Sequence, residues 1–346
     1  MTRRNFIKQS IAGAAAFSLA SPAIAQSATT LRLLTAKPTA AGSIADRITA
    51  ISGGDLQIDT ESVDAGETSS LIARVGGGEA DMCLVDVDRL LDLSIAFGLF
   101  GAMPYGMTTA ELTGWVLASD GRDMLDLLGE RYGVTFYLAH DDGAKPMWSK
   151  EPFSDLAGLQ GRVVGSSGLA RVNLQQAGVG QVLDLQDPAT DLSSLDVIDG
   201  MSVVDMVSNG LTDAFPYLMS ANPNRPSSVG LLAVANGTIE GLSDGDRMLL
   251  ERVCSAGMNG AQTQAFHDNA TALSGKSADI NIGALPDAVS DALATSAQSV
   301  LEMIFEAGND EATMVDAYVY FLTDIAHWSE IGEGAFYTGR KRLLDL

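Results

Sequence analysis

The first half of the chain alternates short apolar runs with segments in which apolar residues recur at helical spacing. The apolar runs predict strands at 30–34, 56–60, 81–85 and 134–138. The segments between them predict helices at 45–51, 69–75 and 109–132. Strand, helix and strand in this order are typical of parallel βαβ units, so the pattern indicates an α/β fold.

The second half continues in the same style and then becomes almost entirely helical. Its pattern predicts strands at 162–164 and 229–234 and helices at 167–177 and 243–256. Two apolar stripes at helical spacing follow, one of Val289, Leu293, Val300, Met303 and Ile304, the other of Met314, Val315, Tyr318, Leu322 and Ile325. Such stripes indicate core packing or a seam with a partner helix rather than a cofactor site.

The first 25 residues have the pattern of a cleavable export signal. Arg3 and Arg4 lie in a basic region, residues 11–19 form an apolar stretch too short to span a bilayer, and residues 23–25 form a small-residue cleavage site. The segment 2–8 is similar to the twin-arginine export motif, and the alternative is an ordinary signal with two chance arginines. We therefore expect a periplasmic protein exported through the twin-arginine route.

Composition excludes several function classes. The 346 residues include 21 basic and 44 acidic side chains, and removal of the signal leaves 18 and 44, a net charge of −26. Nucleic acid is a poor partner for such a chain, because binding a phosphate backbone needs clustered Lys and Arg. Cys83 and Cys254, the only cysteines, form neither a disulfide framework nor a metal-binding motif.

The usual enzyme motifs are absent from the sequence. Residues 275–277 end like a phosphate-binding loop, but Ala270 stands where the first glycine of that loop belongs. The histidines, His140, His267 and His327, are too far apart for a local metal site. We therefore predict a protein that is not an enzyme and has neither cofactor nor metal, although a triad assembled from distant segments stays open.

Arg162 is the candidate anion-binding residue. The basic side chains between residues 134 and 224 are Lys145, Lys150, Arg162 and Arg171. Arg162 opens an apolar strand, and its planar guanidinium can bind a carboxylate through two parallel hydrogen bonds. An ion pair on the surface of the protein explains the residue equally well.

The segment Gly158–Gly165 resembles the one that carries the ligand-binding arginine in substrate-binding proteins of TRAP transporters, the DctP family. Met103–Met107, Leu195–Gly200 and Leu242–Leu250 are similar to further family segments and follow in the family's order. The sequence from Trp328 to Phe336 resembles the closing motif of the branch that binds 2-oxoacids and hydroxy acids. The resemblance spans essentially the whole chain after the signal.

Membership would imply two α/β lobes with a ligand cleft between them and a helical C-terminal region. Lobe 1 would comprise residues 26–150, with about 229–280 returning to it. Lobe 2 would comprise 151–228, and 281–346 would pack across both. The implied partners are a small carboxylate ligand, the membrane permease subunits of the transporter and, through the C-terminal helices, a second copy. The stripe from Val289 to Ile304 suits such a homodimer and suits packing on its own lobe equally.

Two departures from the 2-oxoacid branch concern the ligand. In that branch a glutamine and a glutamate help to hold a metal ion, and Lys145 and Ser202 stand at those positions here. We hypothesise that the Lys145 ammonium replaces the charge of the metal and that Ser202 supplies a neutral hydrogen bond. The alternative is that Lys145 points outward and the cleft has merely lost its metal. Trp148, Tyr105 and Tyr217 are candidates for the cleft wall or for the core.

The leading functional hypothesis is therefore a transporter's solute-binding protein for a small 2-oxo or hydroxy monocarboxylate. A sensory or scavenging receptor of the same fold that works without a permease is the first alternative. A secreted hydrolase with a dispersed active site is the second.

Overall fold

The computed structural model describes residues 28–220, 222–276 and 278–344. The export signal predicted at 1–25 lies outside the described residues. The described strands are β1 (Thr29–Thr35), β2 (Leu56–Ser62), β3 (Met82–Asp86), β4 (Val134–Asp141), β5 (Met147–Ser149), β6 (Val163–Ser166), β7 (Gln181–Asp184), β8 (Val197–Asp199), β9 (Tyr217–Ser220), β10 (Val229–Ala235) and β11 (Asn281–Ala284).

Helices pack against both sheets. They are α1 (Pro38–Ile51), α2 (Leu71–Gly76), α3 (Thr109–Ala118), α4 (Gly121–Tyr132), α5 (Ala157–Gln160), α6 (Gly168–Gln176), α7 (Val203–Ser208), α8 (Asn236–Gly241), α9 (Asp244–Lys276), α10 (Asp287–Glu306), α11 (Asn309–Ser329) and α12 (Ala335–Leu344). Of the helices in the described ranges, none combines the length and the apolar character that a membrane crossing requires.

The strands form two sheets. The first has the order β2-β1-β3-β10-β4, and the second has the order β11-β9-β5-β8-β6-β7. In the first sheet β1 pairs in parallel with β2 and β3, as the βαβ pattern predicts, and β10 returns antiparallel between β3 and β4. Every residue of β10 is buried, because helices cover both faces of the sheet. The predicted two-lobed α/β fold is thus confirmed, while the exact domain boundaries stay a prediction.

Two extended segments connect the sheets. Residues 142–146 lead from β4 to β5, and residues 222–228 lead towards β10. The two segments are bonded to each other: the Asn222 side-chain amide donates to the Lys145 carbonyl at 3.0 Å, and the Asp142 amide donates to the Ser228 carbonyl at 3.0 Å. We call the part of the chain built on the first sheet the first lobe and the part built on the second sheet the second lobe.

Helix α10, the first of the three helices that end the described chain, packs against both lobes. Val289 and Leu293 are buried in the core of the second sheet, while Val300 and Ile304 are buried in the core of the first. Four members of the predicted stripe therefore pack on their own chain, which favours the alternative of packing on its own lobe over a homodimer seam. The fifth, Met303, is 39% exposed.

Local sequence explains where the helices differ from prediction. The predicted helix 109–132 is divided into α3 and α4, and Asp120 at the break accepts a hydrogen bond from the Trp115 indole at 2.8 Å. The helix predicted from residue 45 starts earlier, at Pro38, a residue suited to the first helical position. The helix predicted over 243–256 continues to Lys276 and reaches from the first lobe to the beginning of the second-sheet strand β11.

Candidate functional site

A cavity of about 650 Å³ lies between the two lobes. Its walls come from the beginning of α1, the end of β4 and the middle of α9, and α7 of the second lobe closes it. The volume falls in the usual range for small-molecule sites. A second cavity of about 350 Å³, between α3, β4 and α9, is lined by first-lobe residues alone. We therefore take the larger, interlobe cavity as the candidate site and call it the cleft cavity.

Five charged or titratable side chains form what we call the cavity cluster: Lys37, Asp86, His140, Asp142 and Lys145. The Lys37 ammonium lies 2.7 Å from a carboxylate oxygen of Asp86 and 2.7 Å from one of Asp142. The other oxygen of Asp142 lies 2.7 Å from His140 Nε2. The Lys145 ammonium is 3.8 Å from Asp142, which is too long for a hydrogen bond. Three nitrogen-bearing side chains thus converge on a single carboxylate.

Proton affinities in the cavity cluster follow from these contacts. Burial alone would lower the pKa of Lys37, but the carboxylates of Asp86 and Asp142 outweigh it and raise that pKa above its usual value. Burial likewise favours a raised pKa for Asp142, yet the hydrogen bond from His140 and the Lys37 ammonium hold the pKa of that carboxyl well below its usual range. Lys37 and Asp142 therefore stay charged at neutral pH.

The amino end of α1 opens onto the cleft cavity. Lys37 precedes the helix and provides no side-chain cap, and Pro38 occupies its first position. Residues 37–40 line the cavity, so the unpaired N–H groups of the first turn face it. Such N–H groups, together with the helix dipole, favour an anion at this place.

A second group of polar side chains is fully buried where the connecting segment 222–228 meets the second sheet. We call Asp199, Ser166, Asn222 and Asn224 the hinge cluster. The Asp199 carboxylate accepts hydrogen bonds from Ser166 Oγ at 2.8 Å, from the Asn222 amide at 2.6 Å and from the Asn224 amide at 2.8 Å. Asp199 is thus a structural residue, since both of its oxygens are used inside the protein.

Arg225 follows this cluster directly and reaches the first lobe. Its guanidinium donates to one Asp88 oxygen at 2.8 and 3.1 Å, and it also contacts the carbonyl and hydroxyl oxygens of Ser167. The side chain is only 5% exposed. Neither Arg225 nor Asp88 stood among the predicted site residues, because their contact joins positions 137 residues apart.

Of the predicted residues, Ser202 lines the cleft cavity, whereas Lys145 lies next to a residue of its wall. The Ser202 hydroxyl also caps α7 through the backbone N–H of Asp205 at 3.1 Å. Lys145 lies beside Asp142, which is part of the wall, and its side chain is 17% exposed. Whether Lys145 turns toward the ligand or outward stays a prediction of the sequence.

Arg162 and Tyr217 lie at the other end of the second sheet. Lys145 lies near Met147, which pairs with Asp199 at the cleft end, whereas Ser149 pairs with Tyr217 at the far end. The Arg162 guanidinium donates to Ser149 Oγ at 3.0 Å and to the carbonyls of residues 151 and 152 at 2.6 and 3.0 Å. The structure therefore does not bring Arg162 together with Lys145 and Ser202, and the Arg162 guanidinium lies away from the cavity.

The other two aromatic candidates pack in the protein interior. Trp148 is 0% exposed and donates its indole N–H to the Met201 carbonyl at 3.0 Å, so it is a core residue. Tyr105 contacts the cores of both lobes, and its hydroxyl donates to the Ser290 carbonyl of α10 at 2.7 Å. For these two residues the core alternative is the one that the structure favours.

An ammonium already occupies the place where two carboxylates of the cavity cluster meet. Within the described ranges no group of three His, Cys, Asp or Glu side chains is placed to hold a metal ion. Where Asp86 and Asp142 approach each other, the Lys37 ammonium already lies between them and balances their charge. A cation at that place would meet a positive charge at close range, which opposes its binding.

Sequence comparison alone identifies no relative, because no family model and no curated protein matches the chain. Comparison of structures finds a TRAP transporter solute-binding protein of Bordetella bronchiseptica, described with copurified calcium and picolinate. It is 17% identical, with a TM-score of 0.82, and the match covers 92% of this chain and 98% of that one.

Two further solved structures of TRAP periplasmic solute-binding proteins are similar to this chain over most of its length. A TRAP periplasmic solute-binding protein of Colwellia psychrerythraea with bound calcium and pyruvate is 16% identical, with a TM-score of 0.82 and coverage of 90% and 99%. One from Chromohalobacter salexigens with bound (S)-(+)-2-amino-1-propanol is 20% identical, with a TM-score of 0.70 and coverage of 86% and 96%. At these identities the similarity establishes the fold: the chain has the two-lobed α/β fold of TRAP periplasmic solute-binding proteins.

Proposed function

We propose that the chain is the extracytoplasmic solute-binding component of a TRAP-type secondary transporter and captures a small organic acid between its lobes. The observation that carries this proposal is the cleft cavity, to which residues of both lobes contribute and which several charged side chains line. A ligand in this place contacts both lobes, so its binding energy stabilises their closed arrangement. Such a protein binds and releases its ligand and does not convert it chemically.

Lys145 is the residue that we assign to the ligand carboxylate. Its ammonium makes no hydrogen bond to the described residues, so its donors are available to a ligand. Lys37 is less suited, because Asp86 and Asp142 already balance its charge. The first turn of α1 adds backbone N–H groups, and the Ser202 hydroxyl adds a neutral contact from the second lobe. Lys145 thus takes the role first expected of Arg162.

This assignment needs no metal ion. A carboxylate near Lys145 is compensated by an ammonium that belongs to the protein, and the low polarity of a closed cleft strengthens that attraction. The 2-oxo and hydroxy monocarboxylates stay the first candidates, because Lys145 supplies one ammonium for one carboxylate. The Bordetella and Colwellia neighbours carry small acids together with calcium, so metal dependence is a point on which this protein would differ.

A ligand that also carries an ammonium group is the second candidate. Four aspartates line the cavity against Lys37 and Arg47, namely Asp141, Asp142, Asp205 and Asp268. Carboxylates in excess favour a positive group on the ligand. The Chromohalobacter neighbour, with its bound amino alcohol, shows that this fold accepts an amine. An amino acid would use Lys145 for its carboxylate and the acidic wall for its ammonium.

The partners follow from the transporter role. The export signal would place the protein in the periplasm, and the closed form would deliver its ligand to permease subunits in the membrane. A receptor that senses or scavenges the same solute without a permease is the alternative. Uptake of the solute by vesicles that contain the permease, dependent on this protein, would separate the two.

We assign the contact with a second copy to the C-terminal end of the chain. The stripe of α10 is buried, but large apolar side chains are exposed further on, among them Trp328 at 65%, Ile331 at 55% and Phe336 at 62%. Light scattering on the protein with and without residues 335–346 tests this assignment. A dimer that survives the truncation would exclude α12 as its contact.

A thermal-shift screen of residues 26–346 tests the proposed function. The panel comprises 2-oxo acids, hydroxy acids, amino acids and amino alcohols, each with EDTA and with calcium or sodium. A ligand at a hundred times its dissociation constant stabilises the folded state by about 2.7 kcal/mol. Stabilisation by an acid in EDTA supports the assignment, stabilisation by amines alone selects the second candidate, and a response to no compound in the panel contradicts both.

A further inference from the structure

Asp88 and Arg225 form the most deeply buried ion pair that connects the two lobes. Asp88 follows β3 of the first sheet, and Ser167 precedes α6 of the second lobe. Arg225 comes from the connecting segment and contacts both, with donor distances of 2.8 and 3.1 Å to Asp88. Its side chain is 5% exposed and that of Asp88 is 13% exposed. Water therefore solvates the two charges of the pair only weakly in this arrangement.

The residues that precede Arg225 are bonded to the second lobe. Of these residues, Asn222 and Asn224 are bonded to the buried Asp199 of β8. The Asn224 oxygen accepts a further hydrogen bond from Asn173 of α6 at 2.8 Å. The residues before Arg225 are thus anchored to the second lobe, while Ser227, just after it, donates to the Gly101 carbonyl of the first lobe at 2.8 Å. Through Ser167 and Asp88 the arginine contacts both lobes at this junction.

Two glycines lie where a side chain would collide with this ion pair. Gly168 has a φ of +57°, and a Cβ at its position would lie 2.1 Å from Asp88 Oδ1. Gly200 has a φ of +119°, and a Cβ there would lie 2.3 Å from Arg225 Nε. Larger residues would be strained at both positions and would force the charged groups apart. Backbone geometry at two separate places is thus fitted to one ion pair.

From these contacts we propose that the Asp88–Arg225 pair is the closing contact of the cleft and sets how readily the lobes close. Asp88 and Arg225 are positioning residues, because neither lines the cleft cavity. When the pair forms, two charges that are already desolvated compensate each other, so the closed arrangement is stabilised by the protein itself. Loss of one partner leaves the other charge buried without compensation, and opening of the lobes is the way to hydrate it.

Small-angle X-ray scattering on protein that has been unfolded and refolded, so that copurified solute is removed, tests the proposal without a ligand. The variants are Asp88→Ala, Gly168→Ala, which keeps both charges but obstructs their contact, and Glu79→Ala as the control. Glu79 pairs with Arg74 at 2.6 Å on the surface of the first lobe. Circular dichroism and cooperative urea unfolding verify that each variant is folded.

We expect the wild type and Glu79→Ala to share one radius of gyration, close to the roughly 20 Å of a compact chain of this length. Asp88→Ala and Gly168→Ala should both have a larger radius, and if Asp88→Ala does not fold, Gly168→Ala decides. A folded Gly168→Ala with the wild-type radius overturns the proposal. So does a wild type that is as expanded as the variants. Neither result depends on which solute the cavity binds, so failure here leaves the proposed function intact.

Discussion

The cavity cluster and the hinge cluster lie at the same junction between the lobes, yet their polar groups are satisfied in different ways. In the hinge cluster Asp199 is 0% exposed, and three neutral donors of the protein occupy its two oxygens. In the cavity cluster the side chains of Lys37, Asp142 and Lys145 are 24%, 35% and 17% exposed, and the Lys145 ammonium has no hydrogen bond to the described residues. In the hinge cluster the Asp199 carboxylate is fully hydrogen-bonded within the protein, whereas in the cavity cluster the Lys145 ammonium keeps unused donors.

This difference between the clusters indicates that the hinge cluster serves stability and the cavity cluster serves ligand binding. A polar group whose partners are all internal fixes the connecting segment, and its removal leaves several buried groups unpaired. A charged group with spare donors contributes little to folding and is available to a ligand. We therefore expect variants in the hinge cluster to change the free energy of unfolding and variants at Lys145 to change affinity.

The largest effect is expected for Asp199→Ala. The substitution leaves Ser166, Asn222 and Asn224 without their common acceptor, and each unsatisfied buried group costs about 1–3 kcal/mol. The free energy of unfolding from urea titration should fall by roughly 3 kcal/mol or more. Asp268→Ala in the cavity wall is the control and should change it by less than about 0.5 kcal/mol. Equal losses in the two variants would contradict the distinction between the clusters.

The next effect concerns Lys145. Replacement by methionine removes the ammonium that we assign to the ligand carboxylate but keeps the apolar stem. A hydrogen bond to a charged group contributes about 1.5–3 kcal/mol, so affinity for an acid ligand should fall about 10- to 100-fold by titration calorimetry. Lys150→Met is the matched control, because the Lys150 ammonium donates to the Ser193 carbonyl on an exposed surface. A similar loss of affinity in the control would show that Lys145 has no special role.

A smaller effect is the pH dependence that Lys37 and Asp142 give to stability. The folded-state pKa of Asp142 is lowered, so its contribution is present above about pH 4 and is lost as the pH falls through that lowered pKa. The pKa of Lys37 is raised, so its contribution is present below about pH 10 and is lost as the pH rises through that raised pKa.

The difference in unfolding free energy between the wild type and Lys37→Met measures this dependence. It should be constant between about pH 5 and 9 and shrink outside that window. Urea titrations at a series of pH values provide the measurement. A difference that varies steadily across the neutral range would show that the ammonium is not held between two carboxylates.

The smallest effect is expected at the thiols. Burial raises the pKa of Cys254 to about 12 and that of Cys83 further, so neither forms a reactive thiolate at pH 8. A thiol reagent should label neither in the native protein and both in guanidinium. Native labelling of Cys254, which lies on α9 beside the second cavity, would show that a reagent reaches the thiol through that cavity.

Much of the fold was predictable, because the first lobe is built from long, regular elements. The apolar runs at 30–34, 56–60, 81–85, 134–138 and 229–234 all became strands of the first sheet. The second sheet was harder to predict, because strands such as β5 and β8 have only three residues, which is too few for a period to show. The stripes of α10 and α11 gave the correct core positions at Val300, Ile304 and Met314.

The candidate site was predicted only in part. Family resemblance pointed to Ser202, which lines the cavity, and to Lys145, which lies beside Asp142 of its wall. It also pointed to Arg162, whose guanidinium is bound at the far end of the sheet. Lys37 offered one signal, a cation at the carboxyl end of the first parallel strand, where α/β proteins often bind ligands. Arg225 offered none, since its partner Asp88 is distant in sequence and no local pattern marks a contact between lobes.

The most direct test of the central claim is titration calorimetry of the best acid from the screen, in EDTA, with the refolded protein from residue 26 to 346. We predict binding to one site per chain without any metal, and a loss of affinity of at least about tenfold in Lys145→Met but not in Lys150→Met. Binding that requires calcium or sodium, or an unchanged affinity in Lys145→Met, would contradict the claim that this ammonium holds the ligand carboxylate.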